Sequence, residues 1–221
     1  VEQCLELGID TFDHADIYGD YQCEEMFGKA MELAPELNDK IKIVTKCGIQ
    51  LVSQKRPKNY IKHYDTSFEH IVWSAENSLK MLKRDNVDVL LIHRPDPYIN
   101  PAEVAKAFNK LKEDGKVKAF GVSNFLPAQF KALQAHLDFP LVTNQIEVSV
   151  AAHQEFENGN IDFCQEKFWN VEIEKDFSAQ RITFRNEAFA YNRFFVNLPP
   201  TKKILLSFGY FLQLVLDQML L

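Results

Sequence analysis

The 221-residue sequence predicts an α/β fold built on a parallel sheet, with a barrel favoured over an open sheet. Short apolar runs alternate with stretches that have the apolar spacing of a helix, which is typical of βα units. The runs lack a polar and apolar alternation, as expected for strands covered on both faces. No glycine-rich phosphate-binding motif of the open nucleotide-binding sheets follows any run.

Five apolar runs, each ending abruptly in polar residues, are predicted to be the strands. In chain order they are Ile9–Phe12, Ile41–Thr45, Val87–Ile92, Ala119–Val122, and Leu141–Thr143 continuing into Gln145–Val148. Between the runs, apolar residues recur every three or four positions and predict amphipathic crossover helices. The clearest sets are Ile71, Ala75, Leu79 and Leu82; Val104, Phe108 and Leu111; and Phe130, Leu133 and Leu137 after Pro127.

The composition is that of a globular protein and excludes several classes of function. With 25 Lys and Arg against 31 Asp and Glu, the chain offers no basic surface of the kind that nucleic acids require. The four cysteines form no CxxC pair, so neither a zinc knuckle nor a disulfide framework is predicted. No signal-like segment opens the chain, and we expect reduced thiols in a cytoplasmic protein.

The composition changes after Lys167, and we predict a barrel portion over residues 1–167 and a divergent tail over 168–221. The tail contains 8 of the 18 Phe but 1 of the 8 Gly, and no βα rhythm can be followed in it. We expect it to be helical or irregular. Its apolar end, 204–221, is interrupted by polar residues, which favours a buried or partly exposed helix over a membrane anchor.

Polar residues follow the predicted strands, and in a parallel barrel such residues lie at the mouth where active sites form. They are Asp13, Lys46, His93, Ser123, Asn124, Asn144 and Gln145, with Tyr18 five residues after Asp13. Taken singly, each has an ordinary structural interpretation, such as an ion pair or a helix N-cap. Their occurrence on successive strand ends favours one shared site. The basic segment 48–67 lies at the same mouth and is a candidate substrate loop.

Tyr18, Lys46 and Asp13 together suit proton donation. A phenol with the usual pKa of about 10 donates a proton poorly near neutral pH unless a nearby cation stabilises its anion, and a lysine held by an aspartate supplies that cation. His93 would add a second hydrogen bond to a carbonyl oxygen and stabilise the alkoxide that develops there. The set therefore suits carbonyl reduction.

Five motifs occur in a fixed order: GIDTFDHADIYG, IVTKCGI, NVDVLLIHRPDP, GKVKAFGVSNF and TNQIEVS. Through them, residues 1 to about 167 resemble the aldo-keto reductase family, and HADIYGDYQCEEMFGKA is similar to its bacterial oxidoreductase branch. The resemblance implies a (β/α)8 barrel of the TIM type. It also implies reduction of an aldehyde or ketone with NADPH and without a metal.

The resemblance also implies roles for individual residues. Tyr18 matches the general acid of the catalytic tetrad, Lys46 assists it, Asp13 holds Lys46, and His93 orients the carbonyl. Three further residues match the contacts to the nicotinamide carboxamide: Ser123, Asn124 and Gln145.

Parts of the family pattern are missing at both ends. The family's first strand, ahead of Val1, is absent. After Lys167 we identify neither the usual last two βα units nor the basic, glycine-containing region that holds the cofactor phosphate. We therefore expect a partial barrel whose NADPH binding is weak or absent.

Two other interpretations stay open. The chain could be a non-catalytic relative that acts as an interaction or regulatory subunit, which an NADPH titration would distinguish from an enzyme. A metal-dependent barrel hydrolase using His14, Asp16 and His93 is disfavoured, because the HxH pair at a strand end is missing. We expect no metal site, and a small carbonyl compound as the partner.

Overall fold

The computed structural model describes residues 1–147, 154–167, 170–175 and 180–185. The chain divides into two compact units, one of Val1–Asp10 with Tyr191–Leu221 and one of Thr11–Ala190. In the first unit, the described part contains the short helix α1 (Glu2–Glu6). The backbone N–H of Ile9 donates to the Cys4 carbonyl at 2.8 Å and closes the turn after this helix.

The second unit contains all the other described elements. Its strands are β1 (Thr11–Asp13), β2 (Lys42–Cys47), β3 (Ile49–Gln50), β4 (His63–Tyr64), β5 (Val87–Ile92), β6 (Val117–Ser123), β7 (Thr143–Glu147), β8 (Asn170–Lys175) and β9 (Gln180–Arg185). Its helices are α3 (Cys23–Glu32), α4 (Phe68–Leu82), α5 (Pro101–Glu113), α6 (Pro127–Gln134) and α7 (Asn160–Glu166), with 3₁₀ turns at Pro35–Lys40 and Gln154–Phe156. The short segment α2 (Tyr18–Tyr21) is kinked, because Gly19 and Asp20 have non-helical backbone angles.

The main sheet has the strand order β1-β2-β5-β6-β7-β9-β8, and its first five strands are parallel. These five strands coincide with the five predicted runs apart from shifts of their ends. All six residues of β5 are buried, which explains why its sequence shows no polar alternation. The prediction of a partial α/β barrel is confirmed.

The crossover helices bury the apolar faces that the sequence predicts. In α4, all four residues of the predicted set are buried: Ile71, Ala75, Leu79 and Leu82. Ser67 caps the start of this helix, because its hydroxyl accepts a hydrogen bond from the backbone N–H of His70 at 3.3 Å. Lys83, in a left-handed conformation, caps its end. The α5 set is buried as well: Val104, Phe108 and Leu111.

Gly121 in β6 permits a close approach between neighbouring strands. A Cβ atom at this position would lie 2.7 Å from the Thr143 carbonyl oxygen in β7 and 2.8 Å from a methyl group of Leu91 in β5. Contacts this short would push the strands apart. A glycine here is therefore required by packing.

The candidate substrate loop, residues 48–67, contains a small antiparallel hairpin. Strand β3 pairs with β4 through Ile49 opposite Tyr64 and Gln50 opposite His63. Two-residue strands carry no periodicity, so the sequence pattern could not predict them. The hairpin lies between β2 and α4, directly after Lys46 and Cys47.

The tail differs from the expected helical or irregular chain where the structure describes it. Strands β8 and β9 form an antiparallel pair, and β9 is antiparallel to β7. The segments NVEIEK and QRITFR alternate polar and apolar residues, which is the two-residue period of a strand. This alternation differs from the continuous apolar runs of the five predicted strands.

The predicted boundary at residue 167 stays a prediction, and the apolar stretch 204–221 lies outside the described residues. Among the residues that the structure does describe, no helix has the length and apolar character needed to cross a bilayer. All four cysteines are free thiols: Cys4, Cys23, Cys47 and Cys164.

Candidate active site

Lys46, near the end of β2, is the centre of a polar cluster at the carboxyl ends of the parallel strands. Its side chain is completely buried. The ammonium donates hydrogen bonds to Asp13 Oδ2 at 2.5 Å, to the His14 carbonyl oxygen at 2.9 Å and to the Tyr18 hydroxyl at 3.1 Å. An ammonium has three N–H donors, so these contacts use the full set.

The contact between Lys46 and Tyr18 determines how the phenol can act. Because Nζ donates to the Tyr18 oxygen, the hydroxyl proton of Tyr18 is directed toward another acceptor. Nζ also lies 4.9 Å from the centroid of the Tyr18 ring, which places a positive charge beside this phenol. The geometry therefore suits a tyrosine that donates its proton while a neighbouring ammonium stabilises the phenolate that is left.

His93 lies directly after β5, and its ring contacts the ring of Tyr18. The two rings pack edge to face, with centroids 5.7 Å apart and planes at 76°. The backbone N–H of His93 donates to the backbone carbonyl of Cys47 at 2.9 Å, and this bond connects the end of β5 to the end of β2. The structure thus brings together the four residues predicted as the tetrad: Asp13, Tyr18, Lys46 and His93.

The three residues predicted to contact a cofactor lie where β6 and β7 end. Ser123 Oγ and the backbone N–H of Asn124 both donate to the Gln145 carbonyl oxygen at 2.9 Å. Asn124 Nδ2 donates to Ser123 Oγ at 2.9 Å. Gln145 Nε2 lies 3.5 Å from Asp13 Oδ1, which connects this group to the cluster around Lys46.

Asn144 fixes the turn after β6, a role that the sequence analysis did not assign. The side chain is fully buried. Its Oδ1 accepts from the Phe125 N–H at 3.2 Å, and its Nδ2 donates to the Phe125 carbonyl at 2.8 Å and to Asn160 Oδ1 at 3.3 Å. These bonds hold the Asn124 backbone, which has a left-handed φ of 59°. The sequence indicates this role only by placing an asparagine inside a predicted buried strand.

Two buried acids lie close to Lys46 but do not bond to its ammonium. Burial raises the pKa of Asp16 to about 7, although a 2.9 Å hydrogen bond from Ser74 Oγ acts in the opposite direction. Burial also raises the pKa of Glu24, whose Oε1 accepts from Thr45 Oγ1 at 2.5 Å. Hydroxyl partners therefore hold these carboxyl groups, and Asp13 is the acid paired with Lys46.

His14, one of the three residues considered as metal ligands, packs its ring against Phe27 with centroids 4.5 Å apart. Burial lowers the pKa of His14 to about 4, and the Asp13 charge offsets part of this effect. In the described part of the chain, no three His, Cys, Asp or Glu side chains lie close enough together to hold a metal ion. The structure does not bring His14, Asp16 and His93 into such a group.

Comparison with known proteins identifies the family of the chain. The Aldo/keto reductase family model matches residues 1–173. The chain is 52% identical over 167 residues to the oxidoreductase YcsN of Bacillus subtilis (strain 168), covering 76% of the chain and 56% of YcsN. It is 50% identical over 167 residues to a 6-dehydroglucose reductase of Agrobacterium fabrum, with the same two shares. The chain spans about half the length of these curated relatives.

A solved structure shows the same architecture. The glycerol dehydrogenase of Gluconobacter oxydans superposes with a TM-score of 0.65 at 30% identity, covering 75% of this chain and 48% of that one. This likeness supports the partial barrel. The chain belongs to the aldo/keto reductase family.

Proposed function

We propose that the chain carries the catalytic half of an NADPH-dependent reductase that converts an aldehyde or ketone to an alcohol. One observation carries the proposal: the buried Lys46 ammonium contacts both the Asp13 carboxylate and the Tyr18 hydroxyl. The family and its oxidoreductase members support the class of reaction.

In the proposed reaction, Tyr18 donates its proton to the carbonyl oxygen. The nicotinamide, when bound, supplies the hydride to the carbonyl carbon. Negative charge develops on the oxygen, and His93 stabilises it with a hydrogen bond while Tyr18 transfers the proton. Lys46, held by Asp13, stabilises the phenolate that remains, and solvent then returns a proton to Tyr18.

The residues at the ends of β6 and β7 fit the nicotinamide half of the cofactor. Ser123, Asn124 and Gln145 present hydroxyl and amide groups, which match the donor and acceptor atoms of a carboxamide. Their turn is held by Asn144 before any ligand binds. We propose NADPH as the cofactor that these residues bind.

The proposed substrate is a small carbonyl compound. One relative is a 6-dehydroglucose reductase, so oxidised sugars are the first group of carbonyl compounds to test. The four free cysteines fit a reducing compartment, and we propose a cytoplasmic location.

Two measurements on the purified chain test the proposed function. Titration with NADPH, followed by nucleotide fluorescence, should give saturable binding. Addition of simple aldehydes and of an oxidised sugar should cause carbonyl-dependent loss of NADPH, with one alcohol formed for each NADPH consumed. A folded chain that binds no NADPH and reduces no carbonyl at millimolar concentrations would contradict the proposal and favour a non-catalytic interaction subunit.

A further inference from the structure

The backbone that follows Tyr18 is unusual. Three successive residues have left-handed φ values: Gly19 at 58°, Asp20 at 55° and Tyr21 at 64°. Residues with a Cβ rarely adopt this conformation, and it persists where surrounding contacts impose it. The position of Tyr18 therefore depends on whatever holds this turn.

Within this turn, Tyr21 is the residue whose side chain contacts other segments of the chain. Its hydroxyl accepts a hydrogen bond from the Leu51 N–H at 2.8 Å. The guanidinium carbon of Arg56 lies 4.7 Å from the centroid of the Tyr21 ring and 5.0 Å from that of Trp73 in α4. Such cation–π contacts join three separate segments of the chain at one point.

The segment that supplies Leu51 and Arg56 is itself anchored. Asn59 Nδ2 donates to Gln50 Oε1 at 2.9 Å and to the Leu51 carbonyl at 3.1 Å. Gln50 Nε2 lies 2.8 Å from His70 Nε2 in α4. The candidate substrate loop is therefore bonded to α4 through Gln50, and it contacts the turn after Tyr18 through Leu51 and Arg56.

We propose that Tyr21 and Arg56 are positioning residues for Tyr18. They hold the left-handed turn so that the Tyr18 hydroxyl lies 3.1 Å from Lys46 Nζ. This inference rests on the proposed function, in which Tyr18 donates a proton. It assigns the loop over residues 48–67 a second role, because the loop stabilises the proton donor as well as bordering the site.

The first test changes the hydroxyl of Tyr21 alone. Tyr21→Phe removes the acceptor for Leu51 and keeps the ring beside Arg56. We expect kcat to fall by about tenfold, because small displacements of reacting groups are costly to the rate. The carbonyl KM and the NADPH Kd should change by less than about twofold, since the hydroxyl touches neither ligand. Tyr98→Phe, the same change at a side chain 95% exposed and outside residues 48–67, should keep the wild-type kcat.

The second test changes the cation and keeps the inference open to refutation if Tyr21→Phe fails to fold. Arg56→Met removes the charge from between the two rings and should lower kcat with little change in KM. Arg56→Lys keeps a cation over the rings and should regain most of the lost kcat. Lys80→Met, at an exposed position of α4, is the matched control and should have the wild-type kcat.

A double variant separates positioning from a general weakening of the fold. If Tyr21 acts through the Tyr18 hydroxyl, Tyr21→Phe should lower the residual rate of a Tyr18→Phe variant far less than it lowers the wild-type rate. Equal fold losses in the two backgrounds would overturn the inference, as would a wild-type kcat in both Tyr21→Phe and Arg56→Met. A Tyr18→Phe variant as fast as wild type would instead overturn the proposed function.

Discussion

Gln145 Nε2 lies 3.5 Å from Asp13 Oδ1, although three strands separate β7 from β1 in the sheet. In a flat sheet, four strand spacings of about 4.8 Å would place these strands about 19 Å apart. Two side chains of this length cannot bridge such a gap. The sheet must therefore curl as a barrel does. This curl brings Gln145, at the end of β7, to the cluster around Lys46.

Replacement of Lys46 should affect both catalysis and stability. Lys46→Met leaves the Asp13 carboxylate without its cation and removes the charge beside the Tyr18 hydroxyl. We expect kcat to fall by about 100-fold or more, with a smaller change in KM, because the developing charge is what these groups stabilise. The free energy of unfolding should fall by up to about 3 kcal/mol. Steady-state kinetics and urea unfolding measure the two effects.

A surface ion pair provides the control for Lys46. Lys29 Nζ lies 2.6 Å from Glu25 Oε1 in α3, and the two side chains are 65% and 44% exposed. Lys29→Met should keep the wild-type kcat and nearly the wild-type stability, since exposed pairs contribute little. If Lys46→Met behaved like this control, the role of the buried ammonium would be refuted.

Asn144 should affect cofactor affinity more than turnover. Asn144→Leu leaves the N–H and carbonyl of Phe125 without their side-chain partner, which should cost about 1–3 kcal/mol of stability. The loosened turn at Ser123 and Asn124 should raise the NADPH Kd by about tenfold, with a smaller loss of kcat at saturating NADPH. Fluorescence titration of the variant gives the Kd.

Asn100, an asparagine that also bonds to backbone, provides the control for Asn144. Its side chain caps α5 by accepting from the Ala102 N–H at 3.1 Å, and its replacement by Ala should cost about 1 kcal/mol without changing the NADPH Kd. An unchanged Kd in a folded Asn144→Leu variant would count against a role for this residue at the cofactor site.

The raised pKa of Asp16 predicts how the stability of the fold depends on pH. Its pKa is about 7 in the folded chain against an ordinary value of 3.8, so between these values the folded chain holds a proton that the unfolded chain has lost. The contribution of Asp16 to the free energy of unfolding therefore falls as the pH rises from about 4 to about 7, by roughly 4 kcal/mol at most. Asp16→Asn, which cannot ionise, should remove this loss.

Urea unfolding of Asp16→Asn and wild type at about pH 5 and about pH 8 tests this prediction. The variant should be the more stable protein at the higher pH, and the difference should shrink at the lower pH. Asp39→Asn, at an exposed position, is the control and should change stability little at either pH. A stability difference that is the same at both pH values would show that ionisation of Asp16 is not its cause.

Much of the fold could be predicted because burial leaves a direct mark on the sequence. The continuous apolar run Val87–Ile92 reflects a strand covered on both faces, and the spacing of Ile71, Ala75, Leu79 and Leu82 reflects one buried helix face. The cluster of Asp13, Lys46 and His93 could be expected because parallel strands end at the same side of a barrel.

Other features depend on contacts between distant segments, which no local pattern encodes. The cation–π contacts of Arg56 with Tyr21 and Trp73 join positions that are far apart along the chain. The bonds from Asn144 to Phe125 are also side-chain contacts to a backbone elsewhere in the chain. The tail strands could not be predicted from continuous apolar runs, because their sequences alternate polar and apolar residues.

The most direct test of the account is the kcat of Tyr18→Phe at saturating NADPH. The change removes the hydroxyl that Lys46 contacts and keeps the ring that packs against His93. We expect kcat to fall by about 100-fold or more while the NADPH Kd stays near the wild-type value, because the proton is used in the transition state. Tyr98→Phe, at a side chain 95% exposed, should have the wild-type rate. A folded Tyr18→Phe variant with the wild-type kcat would contradict the assignment of Tyr18 as the proton donor.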